Sequence, residues 1–545
     1  MPEALDCEVL IAGAGPAGLC LAIELGSRGI RCLVVDPRAE VDPHPRASLL
    51  GARSMEYLRR HGLAAPILAA GLPTHFRYDV RFVTSLTGHL LHHYASPSPD
   101  EYGRMHRGEM APTEDAMWSP YFKVQIGQHA IEPVLRERAA QLPSVQLALG
   151  ASLQGFDPGD DDVRATIALP GGGVRAVRAR YLAGCDGGRS LVRQALGIPY
   201  VGRGAIGRNR SFLFHSPGLL DAATTGRANL HFVFQPGRYG VIVDIDGRGL
   251  YNYSWFTPTD EATEADGAAL LRAVMGRDFA FTIRRSMEWF HHQSVADTFR
   301  VKNVFLVGDA AHLFCPSGGI GMNTAIGDAF DLGWKLAARS AGWGGERLLD
   351  SYELERRPVA MRNTAVAADN RDRIDSVMQT LPASIADDGP VGEAARAWVA
   401  PRLRWLARQF SSMGAHLGAR YHESPIVVRD GSPEPADDPR IVVPSTWPGC
   451  RAPHAWLRDG RSTLDWYDGR GYVLVCHEED AAARSLAAAA REERVPLRIE
   501  AVDDTAVRSL YERPYVLVRP DGHVCWRGAA IPDDARALVR AVSGH

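Results

Sequence analysis

Apolar positions along the chain fall into short runs, and the spacing between them shows which elements they build. Residues 7–12 (CEVLIA) form a continuous apolar run of strand type. They lead straight into Gly13-Ala14-Gly15-Pro16-Ala17-Gly18. Leu19, Leu21, Ala22 and Leu25 follow at helical spacing, and Gly26 and Gly29 end that helix. Residues 32–35 (CLVV) give a second buried-type strand that closes on Asp36. Residues 75–94 alternate apolar and polar in places, as strands of a second, antiparallel region do. Residues 96–120 are long, polar, Pro-rich and irregular, and loops of that length are usually functional or mobile. A short extended piece at 121–127 precedes a helix opening at Gln128, and 145–149, 165–169 and 174–179 read as strands.

Four runs between 212 and 256 carry aromatics at alternate positions, predicting a mostly antiparallel sheet with one aromatic-lined face that includes Phe234. Such a face suits a flat apolar ligand, although covering helices could equally pack on it. Residues 304–307 (VFLV) form another buried strand, followed by Gly308-Asp309-Ala310-Ala311-His312, a Gly-rich loop and a helix through Asp331. Residues 352–411 are helix-rich, 421–438 read as a linker, and a separate small α/β unit follows Pro444. The fold class is therefore α/β. A Rossmann-like nucleotide domain comprises 1–74, 104–190 and 290–345, and an inserted antiparallel domain comprises 75–103 and 191–289. Residues 346–440 are helical and linking, and 441–545 form the closing domain.

A chain of 545 residues accommodates this division. A net charge of -3 offers no basic field for nucleic acid. The eight cysteines are scattered without a CxxC, as expected of free thiols in a reducing cytosol. Neither a signal peptide nor an apolar run near the ~20 residues needed to span a bilayer is evident, so a soluble, cytoplasmic protein is expected. No metal is expected. His291-His292 and His92-His93 are adjacent pairs rather than an HExxH, and CHEED at 476–480 reads as a strand end and solvated loop.

The first motif carries specific chemistry. Gly13 makes a tight turn, Gly15 leaves room for a pyrophosphate, and Gly18 lets the helix sit close to the sheet. The helix amides and dipole hold the diphosphate, and Asp36 is spaced to accept from an adenosine ribose. Pro43 and Pro45 deliver Arg46 in an extended loop, either against a ligand or as a local cap.

Three pieces together resemble the class A flavoprotein aromatic hydroxylases of the p-hydroxybenzoate hydroxylase fold. They are GAGPAG with Asp36, CDG at 185–187, and GDAAH with PxxGxGxN across 308–323. The closing domain, with GCRAPHAWL and YVLVRPDGHVCWR, resembles the thioredoxin-like tail of the phenol hydroxylase and polyketide-tailoring branch; lacking CxxC, it should be redox-inert.

The resemblance implies that Gly13, Gly15, Pro16, Ala17, Gly18, Asp36 and Arg38 hold the ADP half of FAD. It places Arg46 at the pyrophosphate, Gln128 on the flavin side, and Asp186 in a motif serving FAD and NAD(P)H. Asp309 would bind the ribityl chain, while Gly321, Met322 and Asn323 would offer backbone groups to the isoalloxazine. Pro316 would line the space between flavin and substrate, with Phe234 on the substrate side, and His312 is read as structural. The implied reaction is NAD(P)H- and O2-dependent hydroxylation of an aromatic ring through a flavin C4a-hydroperoxide, with NADPH or NADH docking transiently. A base near the ring is expected, with His231, Tyr239 and Tyr253 as candidates. Rival readings are Baeyer–Villiger or epoxidising oxygenation, and a non-catalytic flavin or aromatic-ligand binder. A flavin halogenase would need a WxWxIP that is missing. The substrate and oligomeric state are left open.

Overall fold

The computed structural model describes residues 5–113, 117–257 and 267–545; residues 114–116 of the long loop lie outside them. The strands Val304–Leu306, Val174–Gly184, Cys7–Ala12, Cys32–Asp36 and Val145–Leu149 lie side by side and parallel. Their apolar runs have the composition of a sheet covered on both faces, and Cys32–Asp36 is buried throughout. The helices Pro16–Gly26, Gln128–Ala140 and Gly321–Ser340 cover this sheet. Ser152–Pro158 and Val163–Ala168 add an antiparallel meander to the first half of Val174–Gly184.

The second sheet has eight strands, in the order His312–Leu313, Thr282–Ala296, Tyr200–His215, Leu250–Thr257, Arg238–Asp244, Leu230–Gln235, Val80–Val83 and Leu90–Tyr94. It is antiparallel except where Val80–Val83 runs parallel to Leu230–Gln235. One face carries Phe82, Phe232, Phe234 and Tyr239 and packs under the helices Arg347–Gln379 and Pro390–Ala407. The other carries Val233, Ile242, Tyr251 and Tyr253 and is covered by Pro99–His106 and Gly267–Met275.

Two expectations change. The strand Thr282–Ala296 pairs with Tyr200–His215 as far as Ala296, so the second sheet continues beyond residue 290. Its first half is largely exposed, which leaves no apolar run to read. The irregular stretch 96–120 contains the helix Pro99–His106, started by a Ser98–Glu101 capping box.

The closing unit is a four-stranded sheet, in the order Leu497–Ala501, Tyr472–Cys476, Tyr515–Val518 and Val524–Gly528, with helices Ala481–Glu492, Thr505–Tyr511 and Ala535–Val542. Two buried charge clusters fix it to the rest. Arg451 binds Glu56 at 2.5 Å, and Glu56 also takes Arg53 and Ser119. Arg519 reaches Glu355 and Asp521 at 2.5 Å and Asp331 at 3.3 Å, while Lys335 binds Asp331 at 2.7 Å and Glu355 at 2.6 Å; all five side chains are sealed from solvent. No helix among the described residues is long and apolar enough to cross a membrane.

The second cluster sets two cations against three carboxylates, so one carboxyl is in surplus. Burial raises Asp331 to about 7, against the pull of Lys335 and Arg519. Its folded value lies above the unfolded one, so its stabilising share is complete at low pH and is lost as pH rises through about 7. The Asp331 share of the urea midpoint should fall between about pH 4 and 7 and level off above that, and Asp331→Asn should flatten that part of the profile. An unchanged slope in the variant would show that the titrating group lies elsewhere.

Candidate active site

Three backbone turns meet at the carboxyl ends of the parallel strands. Gly13 has φ +111°, and a Cβ there would lie 2.2 Å from the Cys185 carbonyl oxygen. A Cβ on Gly18 would lie 1.9 Å from the Gly13 carbonyl oxygen. Both glycines are therefore required by packing. Gly15 is different: no protein atom stands within 4 Å of a Cβ there, and its φ of −78° suits any residue. The room it leaves lies before the N-terminus of Pro16–Gly26, where unpaired amides favour a diphosphate. Asp36 is buried, accepting from the Ala14 and Arg38 backbone N–H groups, both at 2.8 Å, and from the Arg38 guanidinium at 3.2 Å. Burial pushes its carboxyl up, but these bonds hold it below the usual carboxylate range. A ribose hydroxyl at Asp36 would share it with Arg38, whose side chain is one-third exposed (34%).

The second and third turns are stitched to the first. The Cys185 N–H donates to the Ala12 carbonyl and that of Val307 to the Gly184 carbonyl. At Gly308, with φ +65°, a Cβ would stand 3.2 Å from the Ala17 side chain. The Tyr200 hydroxyl donates to the Asp309 carbonyl at 2.6 Å, closing the second turn over the third. Asp186 accepts from the Val192 N–H at 3.1 Å, while its Oδ1 is buried without a partner among the described residues, and burial raises its carboxyl. Asp309 opens onto the cleft, yet the cleft walls desolvate it enough to raise its carboxyl, offset by His312 and Arg46.

His312 is buried 2.6 Å from Asp328, which also accepts from the Gly308 N–H and Arg356. This geometry gives His312 a structural part. Asn323 commits its side chain to four bonds, with Gly51, Ser54, Leu49 and Gly319, so only its backbone is open. Gly321, Met322 and Asn323 form the first turn of Gly321–Ser340, where helix N–H groups have no partner within the helix.

Pro316 is exposed on the loop before this helix. Gln128 turns instead to Glu132 at 2.6 Å, and Arg46 to Asp42 at 3.0 Å and to the face of Trp289 at 5.8 Å. To meet a dinucleotide, Gln128 and Arg46 would have to turn from these partners.

The aromatic face meets these turns through its edge strand, because His312–Leu313 pairs with Ser294 and Val295. On this face Tyr239 stacks on Phe256 at 4.6 Å and Phe234 on Tyr239 at 6.0 Å. The Tyr239 hydroxyl is buried without a hydrogen bond among the described residues, and burial lifts it well above the usual phenol range. His231 and Tyr253, two expected base candidates, lie on the opposite face. His231 sits beside Val233, bonded to the Gly226 carbonyl at 2.9 Å, and burial lowers it to about 4. Tyr253 packs in the other core, also raised by burial.

Sequence reasoning missed two polar chains on the aromatic face. His44 reaches Ser211 at 3.1 Å, and Ser211 donates to Asn252 at 2.6 Å. His291 joins Asn209 to Arg371. The only signal for His44 was its place in the loop that delivers Arg46.

A cradle of three turns at the carboxyl ends of a parallel sheet, with a second antiparallel sheet joined to it, has the form of a dinucleotide-binding enzyme. The FAD-binding-domain family matches residues 6–367, and the aromatic-ring hydroxylase C-terminal family matches 445–545. The chain is 38% identical to RebC in its structure soaked with chromopyrrolic acid and containing 7-carboxy-K252c, with a TM-score of 0.91 over 99% of this chain and 100% of that one. It is 32% identical to aklavinone 12-hydroxylase DnrF of Streptomyces peucetius over 88% of this chain and 92% of that protein. It is 31% identical to a putative polyketide hydroxylase of Streptomyces halstedii over 95% and 93%. The chain belongs to the FAD-binding aromatic-ring hydroxylase family. It is an FAD-dependent monooxygenase of the p-hydroxybenzoate hydroxylase type of fold.

The two kinds of glycine separate experimentally. Gly18→Ala should destabilise the fold by about 1–3 kcal/mol through overpacking, seen in apoprotein melting. Gly15→Ala should leave apoprotein melting unchanged but weaken FAD binding roughly tenfold or more by removing phosphate room. Native FAD affinity in Gly15→Ala would refute the assignment of that space to the diphosphate.

Proposed function

We propose that this enzyme takes reducing equivalents from NADPH or NADH and places one oxygen atom of O2 on a phenolic ring of a fused-ring substrate. The carrying observation is the continuity of the aromatic face with the flavin loop: its edge strand, His312–Leu313, becomes that loop within two residues. The related proteins, named as aklavinone and polyketide hydroxylases, support a fused-ring substrate. FAD, when bound, supplies the activation of O2.

The chain binds, orients and shields. Gly13, Gly15, Pro16, Ala17 and Gly18 receive the diphosphate, and Asp36 with Arg38 the adenosine ribose. Asp309 serves the ribityl hydroxyls, the amides of Gly321, Met322 and Asn323 the flavin pyrimidine, and Arg46 and Gln128 turn in from their present partners. Asp186 serves the turn shared by flavin and reductant. Pro316, Tyr239 and Phe256 bracket the substrate ring, whereas Phe234, expected on the substrate side, is sealed in the core under the covering helices and backs Tyr239 instead. Tyr239 is the one base candidate on this face, but a phenol raised by burial does not accept a proton near neutral pH. It acts instead as an oriented O–H that fixes the substrate oxygen.

Stopped-flow reduction of the bound flavin by NADPH and by NADH, with and without a panel of mono- and polycyclic phenols, tests this reading. One polycyclic phenol should strongly accelerate reduction and yield a hydroxylated product. Fast reduction without any phenol, or none with all of them, would overturn it. Tyr239→Phe removes one neutral hydrogen bond, worth about 0.5–1.5 kcal/mol, and should lower kcat/KM roughly two- to tenfold without shifting its pH profile.

A further inference from the structure

His291 lies where four segments cross. It sits on Thr282–Ala296, 1% exposed, beside Asn209 of Tyr200–His215. Its Nε2 is 2.8 Å from the Asn209 side-chain oxygen, and its Nδ1 is 2.7 Å from the Arg371 guanidinium. A guanidinium only donates, so Nδ1 accepts. The proton of the neutral ring is then on Nε2 and is given to Asn209. Burial and Arg371 both disfavour the imidazolium form, which lowers the group to about 3.

Arg371 is itself fixed. Asp375 holds its Nε at 2.8 Å, and the guanidinium lies 5.3 Å from the Phe256 ring and 5.8 Å from that of Tyr239. Gly207 gives it room, since a Cβ there would stand 3.2 Å from the guanidinium. The fourth segment is the flavin loop. The Cys315 sulfur, immediately before Pro316, is 3.9 Å from His291 Nδ1. Asn370, beside Arg371, would stand 3.2 Å from a Cβ on Gly318 of the same loop.

We propose that His291 is a positioning residue for oxygen transfer: by joining Asn209 of the aromatic sheet to Arg371 of the long helix beside Cys315, it sets how the flavin loop meets the substrate face. This rests on the hydroxylase reading above. The ring gives up and takes up no proton. With the junction intact, NAD(P)H, H⁺, O2 and Ar–H yield NAD(P)⁺, Ar–OH and H2O. With it slack, NAD(P)H, H⁺ and O2 yield NAD(P)⁺ and H2O2, and the ring leaves unchanged.

The test uses the FAD-loaded full chain and the variants His291→Leu and His291→Gln. Glutamine offers an NH2 donor and a carbonyl acceptor and can serve both partners; leucine serves neither. The first readout is the rate at which iodoacetamide alkylates Cys315, followed by peptide mass spectrometry well below each melting midpoint. It should rise roughly tenfold in His291→Leu, where buried partners are left unpaired, and stay near native in His291→Gln. The second is H2O2 formed per NADPH consumed with the phenol that accelerates flavin reduction. It should rise severalfold in His291→Leu at unchanged FAD content and recover in His291→Gln. Native alkylation in His291→Leu, a native peroxide ratio despite faster alkylation, or a glutamine variant as defective as leucine would each overturn the proposal. If no phenol accelerates reduction in the native enzyme, the hydroxylase reading falls, while alkylation still decides whether His291 holds the loop. Should His291→Leu fail to fold, Asn209→Leu, which removes one partner and keeps the ring, carries the same two readouts.

Discussion

The close approach of Gly13 to the carbonyl of Cys185 is the contact on which the rest of this molecule depends. A side chain on Gly13 would fall 2.2 Å from that oxygen, so the first turn and the CDG turn share their space only because neither backbone carries bulk there. The Gly308 turn joins through Ala17, and Tyr200 closes it onto the CDG turn. Three connections widely separated in the chain are thereby forced to the carboxyl ends of adjacent parallel strands, where α/β sheets bind their ligands. The aromatic sheet inherits that placement. His312–Leu313 leaves the third turn as its edge strand, so the sheet is registered to the nucleotide cradle by covalent continuity as well as by packing.

Sequence discloses local constraint well and distant partnership poorly. The cradle was legible because its parts are close in the chain: Gly13, Gly15, Gly18 and Asp36 fall within one strand–helix–strand unit. The aromatic face was legible as an alternation, but its orientation was not. Tyr239 pairs with Phe256 and Ile242 with Tyr253 only once the antiparallel register is set, and that register puts Tyr239 and Tyr253 on opposite faces. Thr282–Ala296 escaped because solvent covers its first half and no hydrophobic period survives there. His44 and Ser211 are 167 positions apart, and His291 and Asn209 are 82 apart; no spacing rule links such pairs.

The two faces of the second sheet divide labour by chemistry. The far face is closed by apolar contacts, and His231, buried there, is held neutral by desolvation and by Arg81, against the Gly226 carbonyl, which favours the charged ring. The near face mixes stacked aromatics with Asn209, Ser211 and Asn252. Amides and hydroxyls of this kind can orient a substrate oxygen without adding a charge to a dry site, where an unpaired charge would be costly.

That restraint bears on how a phenol is activated here. His44 and His291, on the near face, are unfit to take a proton. His44 is lowered to about 4 by burial with Arg285 close by, and His291 has its Nδ1 lone pair occupied by Arg371. Tyr239 is unfit for the opposite reason, since burial keeps its proton on. A fixed cation near the face is Arg371, held by Asp375. A positive guanidinium near the ring lowers the cost of phenolate without accepting the proton itself. What this face offers to ring activation is therefore its arrangement of dipoles and guanidinium groups.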